Sequence, residues 1–257
     1  MNEELETVYE AVLEALRSGQ AAAVATVVAT GESAPRGPGA KALVFADGRI
    51  VGTVGGGDAE AFVIEEARAA IAAGRPREVV HRTESGPHAC GEDVRILIEV
   101  LPPRPTLVIV GAGHVGQAVA ELGAFLDYRV SVVDDRAELV TAARFPDAAS
   151  CTVGEPAQTL AGLPLGDQSF VVIVTPHRSP DEEILAALAD RPVAYVGLMG
   201  GRRRTEHTFR RARELGVPEA FLDSIHTPVG LDIGAETPRE IAVSILAEII
   251  DLRRRQE

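Results

Sequence analysis

The sequence predicts an α/β chain in which a Rossmann-like, doubly wound parallel sheet follows a smaller α+β domain at the N-terminus. Three observations carry this expectation. The stretch Leu101-Pro102-Pro103-Arg104-Pro105 divides the chain, because prolines fix φ and remove amide donors, so neither a helix nor a central strand continues through it. Downstream, continuous apolar runs alternate with helical segments, the pattern of parallel strands buried on both faces. Upstream, helices interleave with strands that are mostly hairpin-linked. The boundaries read 1–101 for the first domain, 102–105 for the linker and 106–257 for the second.

In chain order, Leu5, Val8, Val12, Leu13 and Leu16 fall at helical spacing, with Gly19 as the C-terminal cap. Ala23 to Thr30 reads as a strand, and the Gly- and Pro-punctuated run Gly31 to Gly39 as a loop. Lys41 to Phe45 and Arg49 to Thr53 flank Asp47-Gly48, a hairpin signal. An Ala-rich helix spans Asp58 to Ala73 and closes at Gly74, followed by strands at Glu78 to Arg82 and Val94 to Val100. In the second domain the strands are Leu107 to Val110, Arg129 to Val133, Ser150 to Val153, Phe170 to Val174 and Val193 to Val196, with helices between them. Thr237-Pro238-Arg239-Glu240 reads as a capping box with Pro at the first turn, opening a helix from Ile241 to Leu252.

Composition limits the function classes. Hydrophobic residues make up 46% and charged residues 25% of the 257, a globular profile, and with no Trp the core should be small-residue and closely packed. A net charge of −13 opposes nonspecific binding to nucleic acid or to an anionic membrane, and the basic run Arg202-Arg203-Arg204 is short. The acidic start Met1-Asn2-Glu3-Glu4-Leu5-Glu6 is unlike a signal peptide, and no apolar run approaches the ~20 residues of a membrane span. Cytoplasm is the expected location, with Cys90 and Cys151 reduced. Two cysteines make no disulfide framework, and no Cys/His spacing reads as a zinc site.

Gly111-Ala112-Gly113-His114-Val115-Gly116 directly follows an apolar strand and opens a helix. Gly111 serves the tight turn, Gly113 lets backbone approach a pyrophosphate, and Gly116 permits close helix–strand packing. The helix start offers free amides and the positive end of its dipole. Asp134, 18 residues beyond Gly116, is placed to hydrogen-bond a ribose diol, so a dinucleotide here should be NAD(H) rather than NADP(H). His114 lies inside the turn, where it packs or caps the helix start and completes the candidate set Gly111, Gly113, His114, Gly116 and Asp134.

Three loops of the first domain are richer in special residues than packing requires. Ser33 to Lys41 sets Arg36 and Lys41 on a turn stiffened by proline, a forked donor and a point charge suited to oxyanions. Gly55-Gly56-Gly57 lets successive amides point at one anion and runs into a helix whose early acids are Asp58 and Glu60. His88-Ala89-Cys90-Gly91-Glu92 holds a loop thiol beside a basic residue, and a thiolate there is a soft ligand for a transition metal. The plainer readings are turns, solvated charges and a buried thiol. Cys151, inside a strand run, reads as core.

At these residues the chain resembles the XdhC/CoxI family, the accessory proteins of xanthine dehydrogenase and related molybdenum hydroxylases. Ser33-Ala34-Pro35-Arg36, Gly39-Ala40-Lys41, Gly52-Thr53-Val54-Gly55-Gly56-Gly57 with Glu60, and Cys90-Gly91 carry it in the first domain. The glycine fingerprint, Val133-Asp134-Asp135-Arg136, Tyr195 to Gly200, and Pro228-Val229-Gly230-Leu231-Asp232-Ile233-Gly234-Ala235-Glu236-Thr237-Pro238 carry it in the second. The resemblance implies a molybdenum cofactor chaperone rather than a catalyst. It would protect Mo-molybdopterin, support its sulfuration by a cysteine desulfurase and deliver it to an apo molybdenum hydroxylase of the xanthine or carbon monoxide dehydrogenase type, acting as a homodimer. The family's functional cysteine maps onto Cys90, as cofactor contact and molybdenum ligand. Arg36, Lys41 and Gly55 to Gly57 suit phosphate or oxo groups, and Glu60 or Asp58 the pterin's amino edge. The family often shows Cys-Gly-Gly where this chain has Cys90-Gly91-Glu92, and Ser where it has Gly201.

Two other readings come from the Rossmann half alone. One is an NAD-dependent oxidoreductase, for which His177 and His226 are the available loop histidines. The other is a nucleotide-responsive interaction protein without catalysis.

Overall fold

The computed structural model describes residues 2–31, 36–82, 93–101, 104–176 and 180–256. The chain forms two compact units, Met1–Arg104 and Pro105–Glu257.

The first unit is a three-layer sandwich. Helix α1 (Asn2–Ser18) precedes β1 (Ala22–Ala29), β2 (Lys41–Phe45) and β3 (Ile50–Gly52); α2 (Gly57–Ala73) precedes β4 (Arg77–Arg82) and β5 (Asp93–Leu101). The strands form one sheet in the order β3-β2-β1-β5-β4, every pair antiparallel. Strand alternation explains the layers, because successive side chains point to opposite faces. Ala23, Ala25, Val27, Ala42, Val44, Ile96 and Ile98 face α2, meeting Val63, Ala67 and Ala70. Ala22, Leu43 and Phe45 face α1, meeting Val8 and Ala15. The core is small-residue, as the composition implied. Gly74 closes α2 in the left-handed conformation, with φ 62°.

The second unit is a parallel sheet in the order β10-β9-β6-β7-β8. Its strands are β6 (Thr106–Val110), β7 (Arg129–Asp134), β8 (Ser150–Val153), β9 (Ser169–Ile173) and β10 (Tyr195–Leu198). From β6 the chain steps outward through β7 to β8, then returns to lay β9 on β6's other side. The end of β6 is therefore the topological switch point, where open α/β sheets bind ligands. Helices α3 (His114–Phe125) and α8 (Pro238–Gln256) pack together and cover one face; α4 (Pro156–Gly162), α5 (Asp181–Leu188), α6 (Arg202–Glu214) and α7 (Glu219–Asp223) serve the other. The capping box forms: the Thr237 N–H donates to Glu240 Oε2 at 2.9 Å, and the Glu240 N–H to Thr237 Oγ1 at 3.3 Å.

Three expectations need correction. Turns, not a helix, connect β7 to β8. The final strand begins two residues later than its apolar run, because Val193 N–H bonds back to Arg191 in a turn. Cys151 is exposed rather than core, because β8 is the edge of the sheet.

Candidate functional site

In the first unit, a bulge in β1 between Val27 and Ala29 sets up the cationic loop. Gly39 N–H donates to the Val27 carbonyl at 2.8 Å and Val27 N–H to the Ala40 carbonyl at 2.9 Å, which ties residues 37–40 to the end of the strand. Arg36 and Lys41 flank this tie and line a cavity of about 350 Å³. The other walls are Glu4, Leu5 and Val8 of α1, residues 37–40, and Thr53 after β3. Lys41 Nζ donates to Thr26 Oγ1 at 2.8 Å, its one hydrogen bond among the described residues, for a group with three donors. Arg36 grips Glu4 with both arms, Nη2 to Oε1 at 3.1 Å and Nη1 to Oε2 at 3.1 Å.

Thr53 joins this cavity to the glycine turn. Its hydroxyl accepts the Gly55 N–H at 3.2 Å and donates to the Glu60 carboxylate. Gly55, Gly56 and Gly57 all have positive φ (144°, 82° and 53°), a run that only glycines adopt without strain. A side chain at Gly56 or Gly57 would meet nothing within 4 Å, so the backbone at the start of α2 lies open. Glu60, one of the expected cofactor contacts, accepts from Thr53 through one carboxylate oxygen.

Cys90 lies outside the described residues, as do Ser33, Pro35, His88 and His177. Among the described residues, no group of three or more His, Cys, Asp or Glu is placed to hold a metal.

In the second unit, Gly111, Gly113 and Gly116 play distinct parts. A Cβ on Gly116 would collide with the Gly111 carbonyl oxygen, so that glycine serves packing. One on Gly113 would meet nothing within 4 Å, and His114 beside it is exposed. Asp134 is 3% exposed and turned inward. Its Oδ2 accepts the Ala112 N–H at 2.6 Å and Arg136 Nη2 at 2.6 Å. Its Oδ1 accepts the Arg136 N–H at 2.9 Å and Nε at 2.8 Å. Burial pushes this carboxyl up, but the Arg136 guanidinium and the Ala112 and Arg136 amides outweigh it and hold the pKa at about 2. The acid expected to reach a ribose diol thus braces the glycine loop from behind.

Sequence reasoning did not single out two polar clusters of this unit. Asp181, fully buried, accepts Thr175 Oγ1 at 2.5 Å and Arg204 Nη2 at 2.5 Å; Arg204 also reaches the Thr175 and Pro176 carbonyls. Burial pushes the Asp181 carboxyl up, while Thr175 and Arg204 pull it back. Glu248 of α8 accepts Tyr195 Oη at 2.5 Å and the Gly230 N–H at 2.9 Å, with His226 Nδ1 at 3.1 Å. The Glu248 pairings join residues 18 to 53 positions apart, beyond the reach of local pattern.

Comparison with known proteins places this architecture. A family model described as the XdhC Rossmann domain matches residues 107–249, and one for the XdhC and CoxI family matches residues 15–83. The chain belongs to the XdhC/CoxI family. Its relatives include the uncharacterized protein YqeB of Escherichia coli, 39% identical over 90% of this chain and 43% of that protein. A Bacillus subtilis protein described as a probable subunit of xanthine dehydrogenase is 34% identical over 70% of this chain and 53% of that protein. The chain thus spans about half the length of these two relatives. The molybdenum cofactor insertion chaperone PaoD of E. coli is 25% identical over 98% of this chain and 89% of that protein. A crystal structure described as a xanthine dehydrogenase from Bacillus halodurans shares the fold, with a TM-score of 0.56 at 23% identity over 96% of each chain. The XdhC/CoxI match in the first unit takes in Arg36, Lys41, the glycine turn and Glu60; Glu4 and Cys90 fall outside it.

Proposed function

We propose that this member of the XdhC/CoxI family is an accessory protein that binds Mo-molybdopterin and hands it to an apo molybdenum hydroxylase of the xanthine or carbon monoxide dehydrogenase type. The names of two relatives, a molybdenum cofactor insertion chaperone and a probable xanthine dehydrogenase subunit, support the reading. The observation that carries it is the cavity lined by Arg36 and Lys41 beside the open glycine turn. At about 350 Å³ it lies within the ~300–1,000 Å³ range of small-molecule sites.

The residues fit the cofactor at its phosphate end. Lys41, anchored once by Thr26, offers its other donors to an oxyanion, and Arg36 offers a planar fork. Gly56 and Gly57 leave room for backbone to approach an anion at the start of α2, where the helix dipole favours negative charge. Leu5 and Val8 form an apolar wall that keeps water from one side of a planar ligand. Cys90 is the proposed molybdenum contact. When bound, the cofactor supplies redox chemistry to the recipient enzyme; this chain's part is to hold, shield and release it. Support of sulfuration by a cysteine desulfurase, homodimer formation and action in the cytoplasm belong to the same proposal. The NAD-dependent oxidoreductase draws no support from Asp134, the acid expected to hold a ribose, which is enclosed by Arg136 and Ala112.

Equilibrium binding of Mo-molybdopterin to the purified chain tests the proposal. Losing a charge-assisted bond predicts a roughly tenfold or greater weakening in Lys41→Ala. Cys90→Ala should weaken the molybdenum form more than metal-free molybdopterin. Absence of binding by wild type, or NADH binding with none for the cofactor, refutes it.

A further inference from the structure

The cationic cavity has one carboxylate in its described lining, Glu4 of α1. It meets Arg36 as a ligand would, two oxygens against two guanidinium nitrogens at 3.1 Å each, the planar geometry by which arginine holds carboxylates and phosphates. The pair spans 32 residues of sequence and ties the first turn of α1 to the loop that carries the cations. Both side chains stay partly open, 41% for Arg36 and 36% for Glu4, so an incoming anion can reach the fork. An acid near a helix start also answers the helix dipole, but Glu3 already stands in that first turn.

We propose that Glu4 is a built-in competitor for the oxyanion site: its carboxylate occupies the Arg36 fork until a phosphate-bearing ligand displaces it, and displacement releases the first turn of α1. This rests on reading the cavity as the anion-binding end of the cofactor site. At Arg36 two phosphate oxygens take the place of two carboxylate oxygens on the same fork, and Lys41, held by Thr26, stands on the same cavity wall to meet the remaining charge. Occupancy is thereby linked to the mobility of α1, a signal a recipient enzyme can read without contacting the cavity.

The test uses the full chain, with pyrophosphate as one probe and Mo-molybdopterin as a second. Glu4→Gln keeps the shape and removes the charge. It should tighten pyrophosphate binding by about two- to fivefold, the range set by a partly exposed ion pair. Glu3→Gln makes the same change of net charge in the same turn without touching Arg36, and should leave affinity unchanged. In an Arg36→Gln background the gain from Glu4→Gln should vanish. Hydrogen exchange of the amides of residues 6–9, which bond back to the first-turn carbonyls of α1, should quicken on ligand addition in wild type, and be faster already in Glu4→Gln.

Unchanged or weaker binding by Glu4→Gln, an equal gain from Glu3→Gln, or no pyrophosphate binding by any variant overturns the proposal. The two readings fail separately. A Glu4-dependent pyrophosphate site that ignores Mo-molybdopterin sinks the cofactor reading alone. Cofactor binding indifferent to Glu4→Gln sinks the competitor alone.

Discussion

In the first unit, Arg36 and Lys41 line a cavity, and among the described residues nothing stands within 4 Å of a side chain built at Gly56 or Gly57. In the second unit, the polar group best marked by sequence, Asp134, is 3% exposed and accepts from Ala112 and Arg136. Both loops are glycine-rich, both precede a helix, and each has a glycine with open space before it among the described residues, Gly56 and Gly57 in the first unit and Gly113 in the second; the contrast is in the charged residue beside each. The difference lies in what stands behind each charge. Lys41 is steadied from the rear by a neutral hydroxyl, which leaves its charge unspent. Asp134 is met by a guanidinium, which neutralises it in place. A glycine motif therefore shows where backbone comes close, but the partner of the charge beside it decides what is left for a ligand: a neutral hydroxyl for Lys41, a guanidinium for Asp134, and for Arg36 the partly exposed Glu4.

The sharpest way to break this comparison is to fill the glycines that serve packing in each unit. Gly116→Ala sets a methyl against the Gly111 carbonyl, in the turn that Asp134 braces. Overpacking of this kind costs about 3 kcal/mol. Gly52→Ala, in the first unit, meets the Lys41 carbonyl at 2.6 Å and sits at φ +87°, with strain of about 1–3 kcal/mol to add. Urea unfolding followed by circular dichroism should show each change moving the transition of its own unit. A single transition moved equally by both changes would show that the units do not differ in this way.

Acid is the next largest lever, and it acts on the second unit. The Asp134 carboxyl has its pKa lowered from 3.8 to about 2 on folding, so it stabilises the fold fully above the unfolded value. That contribution, about 2 kcal/mol, is lost as pH falls from about 4 toward 2. Asp134→Asn should flatten the acid limb of the second unit and leave that of the first unchanged. An acid limb identical in Asp134→Asn and wild type would remove Asp134 from its bracing role.

The same contrast explains what was legible in the sequence. Element type was readable almost throughout, because it rests on local signals: Asp47-Gly48 for the hairpin and Gly74 for the end of α2. Cys151 was misread because an edge strand and a central strand share one apolar pattern; only strand order tells them apart. The start of β10 was misplaced because Val193 is apolar but already committed to a turn. In the candidate sites, Arg36, Lys41 and the glycine turn were visible as residue types in special loops. Their partners Glu4, Thr26 and Thr53 were not, since a glutamate in an acidic helix and two threonines carry no mark of where they point. Arg136 had a signal that went unused: an arginine two residues after a strand-end acid is close enough to pair with it.

The smallest expected effect concerns the helix starts. Helix α8 opens on a closed reciprocal box, with the Glu240 carboxylate accepting the Thr237 and Glu236 amides, which hold its pKa down. Helix α2 opens on Gly56, which has no side chain to cap anything, so no N-cap side chain takes up its first amides. If the first is a structural start and the second a binding one, they should respond to different measurements. Thr237→Ala should cost about 1 kcal/mol or less, the usual worth of an N-cap, and appear in urea unfolding of the second unit. Pyrophosphate affinity should not change. Adding pyrophosphate should in turn slow hydrogen exchange at the first amides of α2 while leaving those of α8 as they were. Protection at α8, or none at α2, would mean that the open glycine start is only a turn, and the anion site would then rest on Arg36 and Lys41 alone.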